Sequence, residues 1–331
     1  MLKTFIISLV LFITTFFTAT AQRTQPVRQL VFEGAGIRGI AYSGALAELE
    51  TQGHLQTVQQ VGGTSAGAIM ALLVSLGYTS AETTAIVAGT DFRKFNDGRY
   101  FFPGGINRLN RYFGWYRGEK FKAWLYKLIA AKTGNAAITF RQMAAAGYRD
   151  LFVTGTNITK QQLVVFSKNN YPDMQVADAV RISMSVPFYF EAVFIDSAGR
   201  TVRHPRNKEG LDAMTDGGLT GNFPIYIFDS LGTCNPNTVG FRIDRAEQIA
   251  SDRVNGRLAP MSTGNFRGYV GALYNMVIEN LNRHNLQAAD WKRTVSISDG
   301  NIGPRIRRLS ADEINRLVEN GRQATRNFLL N

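Results

Sequence analysis

Three short stretches of the chain, in a fixed order, contain the residue types that acyl-ester hydrolysis requires. They are Gly34–Gly39, Gly63–Gly67 and Asp216–Gly218. The first supplies consecutive backbone N–H groups, the second a serine hydroxyl and the third a carboxylate. A serine attacks an ester carbonyl when a base takes its proton and N–H donors stabilise the oxyanion that forms. Together the three stretches predict a serine acyl hydrolase.

The candidate nucleophile is Ser65, in the sequence Gly63-Thr64-Ser65-Ala66-Gly67. This G-x-S-x-G pattern lies between a predicted strand and a predicted helix, where it holds a serine at a sharp turn. The helix that follows directs its amino terminus at the site and favours negative charge there. A serine that only caps a glycine-rich helix would show the same residues, but the strand before the turn favours a nucleophile.

The stretch Gly34–Gly39 also follows a predicted strand and matches the pattern G-x-G-x-x-G. A dinucleotide site would need an acidic residue at the end of the next strand, about 20 residues on. That strand instead ends in glycines and enters the serine turn. Arg38 is expected to fix the loop, to add positive field or to form a structural salt bridge. We interpret the stretch as an oxyanion loop, and the candidate donors are the N–H groups of Gly34, Ala35, Gly36 and Ala66.

The candidate base is Asp216. Gly217 and Gly218 let the backbone turn sharply after the aspartate and leave room beside its carboxylate, although an ordinary turn has the same residues. A carboxylate within hydrogen-bond reach of a serine hydroxyl can act as the base directly.

Histidine offers a second route to a base, and the chain has three, His54, His204 and His284. Each lies in a context typical of a structural residue: a helix end, a polar loop and a surface helix. A triad of the α/β-hydrolase type needs an acid and then a histidine after the serine. Asp196 with His204 is the nearest such pair, and no motif supports it.

The ordered triplet resembles the patatin-like phospholipase family. The family's oxyanion loop, G-x-S-x-G turn and D-G-G box are similar to Gly34–Gly39, Gly63–Gly67 and Asp216–Gly218. Asn222 and Pro224 follow the box as in many members, and residues 176–187 resemble the family's helix that leads to a proline. Ala35 departs from the family, which often has glycine there, but a methyl group is tolerated if φ is negative.

The resemblance covers residues 30–229 and implies a Ser65–Asp216 dyad, lipid substrates and calcium-independent hydrolysis of acyl esters with no cofactor or metal. Two alternatives stay open. One is a histidine-using esterase, and the other is a non-catalytic protein that binds lipid surfaces on the same fold.

The elements that must position these residues alternate between strand and helix. Apolar runs predict strands at 27–33 and 57–61, and helices at 39–52 and 65–76. This order predicts an α/β fold with three layers, α/β/α, and a mostly parallel central sheet. Further strands are predicted at 149–158, 162–167, 188–195 and 211–215, and helices at 119–132 and 176–183.

Residues 230–331 form a predicted extension, mostly helical, that packs on the domain at 30–229. It is expected to contain a strand at 238–243 and helices at 267–285 and 311–329. In the first domain, the aromatic and arginine-rich stretch Arg99–Arg117 is typical of a lipid interface. Core packing of a helical subdomain is the alternative for that stretch.

Composition and charge limit the setting in which the protein works. Residues 1–21 have a positive start, an apolar run and an Ala19-Thr20-Ala21 end, which predict a signal peptide cleaved before Gln22 and export to the periplasm, envelope or outside. An uncleaved anchor helix is the alternative, since residues 4–21 carry no charge. Cys234 is the only cysteine, so no intramolecular disulfide and no thiolate zinc cluster can form. The net charge of +12 suits an anionic lipid surface or simple solubility. Export makes nucleic acid a poor partner.

Overall fold

The computed structural model describes residues 25–98, 101–254, 256–283 and 286–330. The predicted signal peptide at 1–21 and His284 lie outside these ranges. Among the described helices, none combines the length and the apolar character that crossing a bilayer requires.

Strands and helices alternate through the first part of the described chain. The strands are β1 (Gln29–Phe32), β2 (Gln60–Gly63), β3 (Gly114–Tyr116), β4 (Asp150–Asn157), β5 (Gln162–Phe166), β6 (Phe188–Phe190), β7 (Val193–Ile195), β8 (Thr201–Val202), β9 (Asp212–Asp216), β10 (Thr238–Asp244) and β11 (Thr294–Ser298). The helices are α1 (Ala41–Thr51), α2 (Ala66–Ser75), α3 (Ser80–Gly89), α4 (Phe101–Tyr112), α5 (Glu119–Thr133), α6 (Phe140–Ala145), α7 (Val176–Ser183), α8 (Ala246–Val254), α9 (Phe266–Arg283), α10 (Ala288–Trp291) and α11 (Ala311–Leu329).

Within the described residues, nine strands form one sheet in the order β11-β10-β1-β2-β4-β9-β7-β8, with β5 also paired to β4. The five strands from β11 to β4 run parallel, and β5 and β9 run antiparallel to β4. Leu30 and Phe32 point into the main core, while Val31 packs on Phe223 and Ile225 on the other face. Burial on both faces is typical of a parallel sheet. The predicted α/β fold is therefore confirmed.

The pairing of β4 explains how two distant parts of the chain meet. Val153 pairs with Gly63 on one side and Phe166 on the other. Gly155 pairs with Val164 of β5 and, on the opposite side, with Asp216 of β9. Strands β2 and β9 therefore lie along the same side of β4, run towards each other, and end two positions apart in register. The serine turn after β2 and the aspartate that ends β9 are brought together by this arrangement.

Residues 230–331 contribute strands as well as helices. The predicted strand at 238–243 is β10, which pairs with β1, but β11 beyond it was not predicted. Its five residues alternate polar and apolar over too short a length to stand out in the sequence. Helix α11 packs closely on α1, and glycines at the contact make this possible. A Cβ at Gly44 would clash with the Val318 carbonyl, and one at Gly321 with the Ala41 carbonyl.

Candidate active site

Ser65 occupies a sharp turn between β2 and α2. Its backbone has φ +53° and ψ −122°, a conformation that non-glycine residues rarely adopt and that is common at functional sites. The Ser65 N–H donates to the Ser183 hydroxyl at 2.8 Å, which holds the turn. A Cβ on Gly63 would clash with the Gly67 carbonyl, and one on Gly67 with the Phe32 carbonyl. Both glycines are therefore needed for the backbone to reach this conformation.

Asp216 lies at the end of β9 and is buried. The N–H of Gly218 donates to its Oδ1 at 2.7 Å. A Cβ at Gly217 would clash with Thr154, and one at Gly218 would lie only 3.0 Å from Asp216 Oδ1, so a side chain at either position would crowd this turn. Burial raises the pKa of Asp216 to about 7, against the lowering effects of the Gly218 N–H and of hydrogen bonding with Ser65. The carboxyl therefore changes its charge near neutral pH.

The Ser65 hydroxyl is close to two groups. Its oxygen is 3.5 Å from the Met184 sulfur, and it lies near enough to Asp216 to lower the pKa of that carboxyl. Hydrogen bonds between catalytic groups are commonly long without substrate and shorten when it binds. The arrangement fits a serine and its base before the substrate arrives.

The glycine-rich loop packs against the serine. A Cβ at Gly34 would be 3.3 Å from the Ser65 Cβ, and one at Gly36 would clash with the Pro304 carbonyl. Gly36 also has φ +58°, which favours glycine. Ala35 has φ −131°, so its methyl group causes no strain at the position where the resembling family often has glycine.

One predicted oxyanion donor is wrong. The Gly34 N–H donates to the Asn222 carbonyl at 3.0 Å, so it is already engaged and is not available to an oxyanion. Ala35 precedes a 3₁₀ turn that begins at Gly36, and Ala66 begins α2. The N–H groups at a helix start have no intrahelical acceptor. The candidate donors are therefore those of Ala35, Gly36 and Ala66.

Arg38 has two of the roles that the sequence suggests. Its Nε donates to the Ala35 carbonyl at 3.1 Å, which fixes the loop, and its Nη1 is 3.5 Å from Asp299 Oδ2. Gly39 lets the loop approach α2, since a Cβ there would be only 3.1 Å from the Ala66 Cβ.

Two asparagines that the sequence analysis did not assign to the site hold its loops together. The Asn222 side-chain amide donates to the Gly34 carbonyl at 3.1 Å and lies 3.3 Å from a Glu33 carboxylate oxygen. Asn282 of α9 donates to the Gly218 carbonyl at 3.0 Å. Asn222 follows the D-G-G box and was visible in the motif, whereas nothing in the sequence of α9 distinguishes Asn282.

A cavity of about 900 Å³ opens at Ser65 and Asp216. Its walls are mainly apolar, and a volume in this range suits an extended organic ligand. The apolar lining includes Ile37, Ile69, Met70, Phe92, Met184 and Ile278.

Glu33 is a second buried carboxyl on this cavity. Burial raises its pKa to about 7, and the nearby Arg242 guanidinium opposes the rise. The Ile243 N–H donates to its Oε2 at 3.3 Å. Because the carboxyl is held between β1 and β10 by these contacts, we interpret it as structural.

The described histidines lie away from the serine. His204 Nε2 is 2.9 Å from Glu191 Oε2, and the ring stacks on Tyr112. Asp196 instead bonds Arg200 at 2.8 Å, so the acid and histidine that a histidine-using triad would have required do not pair. His54 follows α1, and its backbone N–H donates to the Leu49 carbonyl at 2.9 Å, as expected for a residue at a helix end.

Among the described residues, one group of three side chains has the spacing of a cation site. Asp229, Cys234 and Asp290 present ligand atoms within 4.8 Å of one another. Both carboxylates, however, bond the Arg293 guanidinium, which supplies the positive charge that a metal ion would otherwise provide. This cluster is a salt bridge between the chain segments before β10 and β11.

Sequence comparison decides the family. A model of the patatin-like phospholipase family matches residues 30–229, which contain both Ser65 and Asp216. The chain belongs to the patatin-like phospholipase family. Its relatives include the uncharacterized protein YqhO of Bacillus subtilis, which is 34% identical over 204 residues, covering 60% of this chain and 65% of that protein.

Another relative is the probable lipid hydrolase 463L of Invertebrate iridescent virus 6, 25% identical over 60% of this chain and 62% of that protein. The matches to these two relatives thus span slightly less than two thirds of each relative's length. Among solved structures, VipD from Legionella pneumophila matches with a TM-score of 0.57 and 18% identity, over 92% of this chain and 67% of that one. At that identity, the likeness to VipD shows the patatin-like fold alone.

Proposed function

We propose that this patatin-like protein hydrolyses acyl esters of lipids with Ser65 as nucleophile and Asp216 as base. The observation that carries the proposal is the meeting of β2 and β9 beside β4. It brings the serine turn to the buried carboxyl at one end of a large apolar cavity. Membership of the family supports the same chemistry.

In the first half of the reaction, ionised Asp216 takes the proton from the Ser65 Oγ as this oxygen attacks the acyl carbonyl. The N–H groups of Ala35, Gly36 and Ala66 are positioned to stabilise the oxyanion, and the amino terminus of α2 adds positive potential. When the tetrahedral intermediate collapses, protonated Asp216 returns the proton to the leaving alcohol oxygen. The acyl group remains on Ser65.

In the second half, water replaces the alcohol. Asp216 takes a proton from the water, whose oxygen attacks the acyl-enzyme carbonyl, and the same donors hold the second oxyanion. Collapse releases the fatty acid, and the proton on Asp216 returns to the Ser65 oxygen. No metal or cofactor is invoked in either half.

The cavity supports a substrate with a long acyl chain. Its apolar wall includes Ile69 and Met70 of α2 together with Val87 and Phe92. An acyl chain in this space would be removed from water at a gain of about 0.8 kcal/mol per methylene group. Lipid esters should therefore bind better than short-chain esters.

Product analysis of a mixed lipid extract tests the proposal. The wild-type protein should release free fatty acids and the corresponding lysolipids or alcohols, measured by mass spectrometry, and Ser65→Ala should release none above background. Equal release by both proteins would overturn the proposal. Loss of activity in His204→Ala with retention in Asp216→Asn would favour a histidine-using esterase instead.

Export remains a proposal that rests on residues 1–21. If the signal peptide is cleaved as the sequence predicts, the mature protein begins at Gln22 and acts on lipids of the envelope or outside the cell. The intact mass of protein purified from its natural host tests this, since retention of residues 1–21 would instead indicate an anchor.

A further inference from the structure

Helix α9 carries an apolar stripe that faces solvent. Its exposed hydrophobic side chains recur every three or four residues, the spacing that places them on one helix face. Their exposed fractions range from 44% for Val270 to 83% for Phe266. A helix that packs on a core normally turns such a stripe inwards. The stripe consists of Phe266, Tyr269, Val270, Leu273, Met276 and Val277.

Another face of α9 forms part of the cavity wall. Gly271, Asn275, Ile278 and Glu279 line the cavity that contains Ser65. The same helix therefore borders the cavity on one side and presents bare apolar side chains to solvent on another. By helical spacing the two sets of residues lie on opposite faces, so a surface in contact with the stripe would be about one helix diameter, roughly 10 Å, from the cavity wall.

Polar contacts fix α9 in this position. Glu279 forms a salt bridge at 3.2 Å with Arg242, which is buried in β10. Asn282 hydrogen-bonds the loop that follows Asp216. Because these anchors lie on the inner face, the outward direction of the stripe follows from how the helix is held.

A second exposed apolar group lies on another segment that borders the cavity, residues 186–189. Pro187 and Tyr189 line the cavity, and Phe188 between them is 72% exposed. Phe188 has φ +65°, which is a strained backbone for a bulky residue. The neighbouring Val186 is also on the cavity and is 38% exposed. Two separate elements that border the cavity thus also carry exposed apolar side chains.

Arginines neutralise most of the acids at the cavity. Four of the five acids that line it, all except Asp216, form salt bridges with Arg242 or Arg38. Arg245 and Arg305 also line the cavity, on a chain with a net charge of +12. Apolar side chains beside arginines match a lipid surface with anionic headgroups.

We propose that the α9 stripe and Phe188 dock the protein on an anionic lipid bilayer and so bring the cavity that α9 borders close to the lipid. This rests on the proposed function, because it supplies that site with substrate directly from the bilayer. The aromatic stretch at 99–117 is a less suitable docking surface. None of its described residues lines the cavity, and Trp115, Phe113 and Tyr116 contact Phe102, Phe194 and Tyr189 respectively.

Vesicle sedimentation tests the docking surface. The chain carrying Ser65→Ala, which consumes no lipid, is mixed with vesicles of phosphatidylcholine containing phosphatidylglycerol. Leu273→Glu and Met276→Glu, made separately so that one unfolded variant does not decide the result, should each lower partitioning by about tenfold, since both place a charge in the apolar contact. Leu231→Glu is the matched control and should have no effect. Leu231 is fully exposed in the turn before β10, at the opposite end of that strand from the cavity.

Four results would overturn the docking proposal. They are unchanged partitioning of both stripe variants, equal binding to vesicles of phosphatidylcholine alone, and loss of binding with Phe102→Glu instead. The fourth is conversion of a dimer to a monomer by Leu273→Glu with vesicle binding intact, which would make a second copy the occupant.

Comparing two substrates separates this proposal from the proposed function. With Ser65 intact, Leu273→Glu should reduce hydrolysis of vesicle lipid by at least about tenfold more than hydrolysis of a soluble short-chain ester. If the wild type hydrolyses neither substrate while Ser65→Ala still binds vesicles through Leu273, docking stands and the proposed function fails. If both hydrolyses occur and Leu273→Glu lowers them equally, the function stands and docking fails.

Discussion

The side-chain oxygen of Asn282 accepts a hydrogen bond from the backbone N–H of Asn222, at a nitrogen–oxygen distance of 2.5 Å. The amide nitrogen of Asn282 donates to the Gly218 carbonyl at 3.0 Å. One buried side chain thus connects both ends of the loop after Asp216. Asn282 lies outside the residues that the family model matches, so the loop with the candidate base is held by a helix beyond the shared domain.

Replacing Asn282 with alanine should therefore disturb Asp216 indirectly, through the loop that Asn282 holds. Two hydrogen bonds to buried backbone are lost, at about 1 kcal/mol each, and we expect kcat on a soluble ester to fall by about tenfold with a smaller change in KM. The midpoint of the pH–rate profile should also move, because the Gly218 N–H helps to set the pKa of Asp216.

Asn280→Ala is the matched control, on the same helix but exposed. It should leave kcat and the pH profile as in the wild type. If Asn282→Ala lowers thermal stability while kcat and the pH midpoint stay unchanged, Asn282 does not position the base.

The pH dependence of activity should report the charge of Asp216. A base must be ionised, and burial raises the pKa of this carboxyl from 3.8 to about 7. We expect kcat/KM for a soluble ester to rise with pH and to reach half of its plateau near pH 7. A rate that is constant from about pH 5 to about pH 8 would be inconsistent with an Asp216 base of this pKa.

The same raised pKa predicts how Asp216 affects stability. Its folded pKa lies above the unfolded value, so its favourable contribution is complete below about pH 3.8 and is lost as the pH rises through about 7. Above that pH the buried charge costs at most about 4 kcal/mol, at about 1.4 kcal/mol per pKa unit.

Asp216→Asn removes this charge and should raise the melting temperature by several degrees at about pH 8 but by much less at about pH 4. Calorimetry at the two pH values measures the difference. Equal shifts in melting temperature at the two pH values would indicate that ionisation of Asp216 does not destabilise the folded protein.

The oxyanion loop depends on the backbone of Gly36. At φ +58°, with the Pro304 carbonyl where a Cβ would lie, Gly36→Ala should move the loop and its N–H groups. Loss of one oxyanion donor typically costs ~10²–10³ in rate, so we expect kcat to fall within that range. Pre-steady-state kinetics with a chromogenic ester would place the loss in acylation.

Ala35→Gly is the comparison, because the Ala35 backbone is already relaxed at φ −131°. It should keep kcat within about threefold of the wild type, since a glycine at a relaxed position mainly increases the freedom of the unfolded chain. A larger fall in kcat from Ala35→Gly than from Gly36→Ala would contradict the assignment of Gly36 as the position whose backbone requires glycine.

Local patterns in the sequence predict much of this fold. The helix at 176–183 and the helix at 311–329 have the predicted bounds, since each has a clear apolar period or cap. Strand β2 begins at Gln60, later than the predicted 57–61, because Leu55–Thr57 forms a 3₁₀ turn. Such shifts at element ends are common and leave the motifs in place.

The contacts that complete the site depend on tertiary structure and could not be predicted. The Gly34 N–H donates to the carbonyl of Asn222, 188 residues further along the chain. The loop sequence alone therefore could not show that this N–H is unavailable to an oxyanion. The meeting of β2 and β9 depends on both strands pairing with the same side of β4. Asn282 is one of several asparagines in an amphipathic helix, and only its orientation distinguishes it.

Labelling of Ser65 by a fluorophosphonate, read by intact mass and peptide mapping, tests the central claim most directly. The account predicts covalent label on Ser65 in the wild type and in His204→Ala, and a labelling rate in Asp216→Asn that is lower by at least about 10²-fold, because the hydroxyl loses its base. Rapid labelling of Asp216→Asn, or label that requires His204, would contradict it.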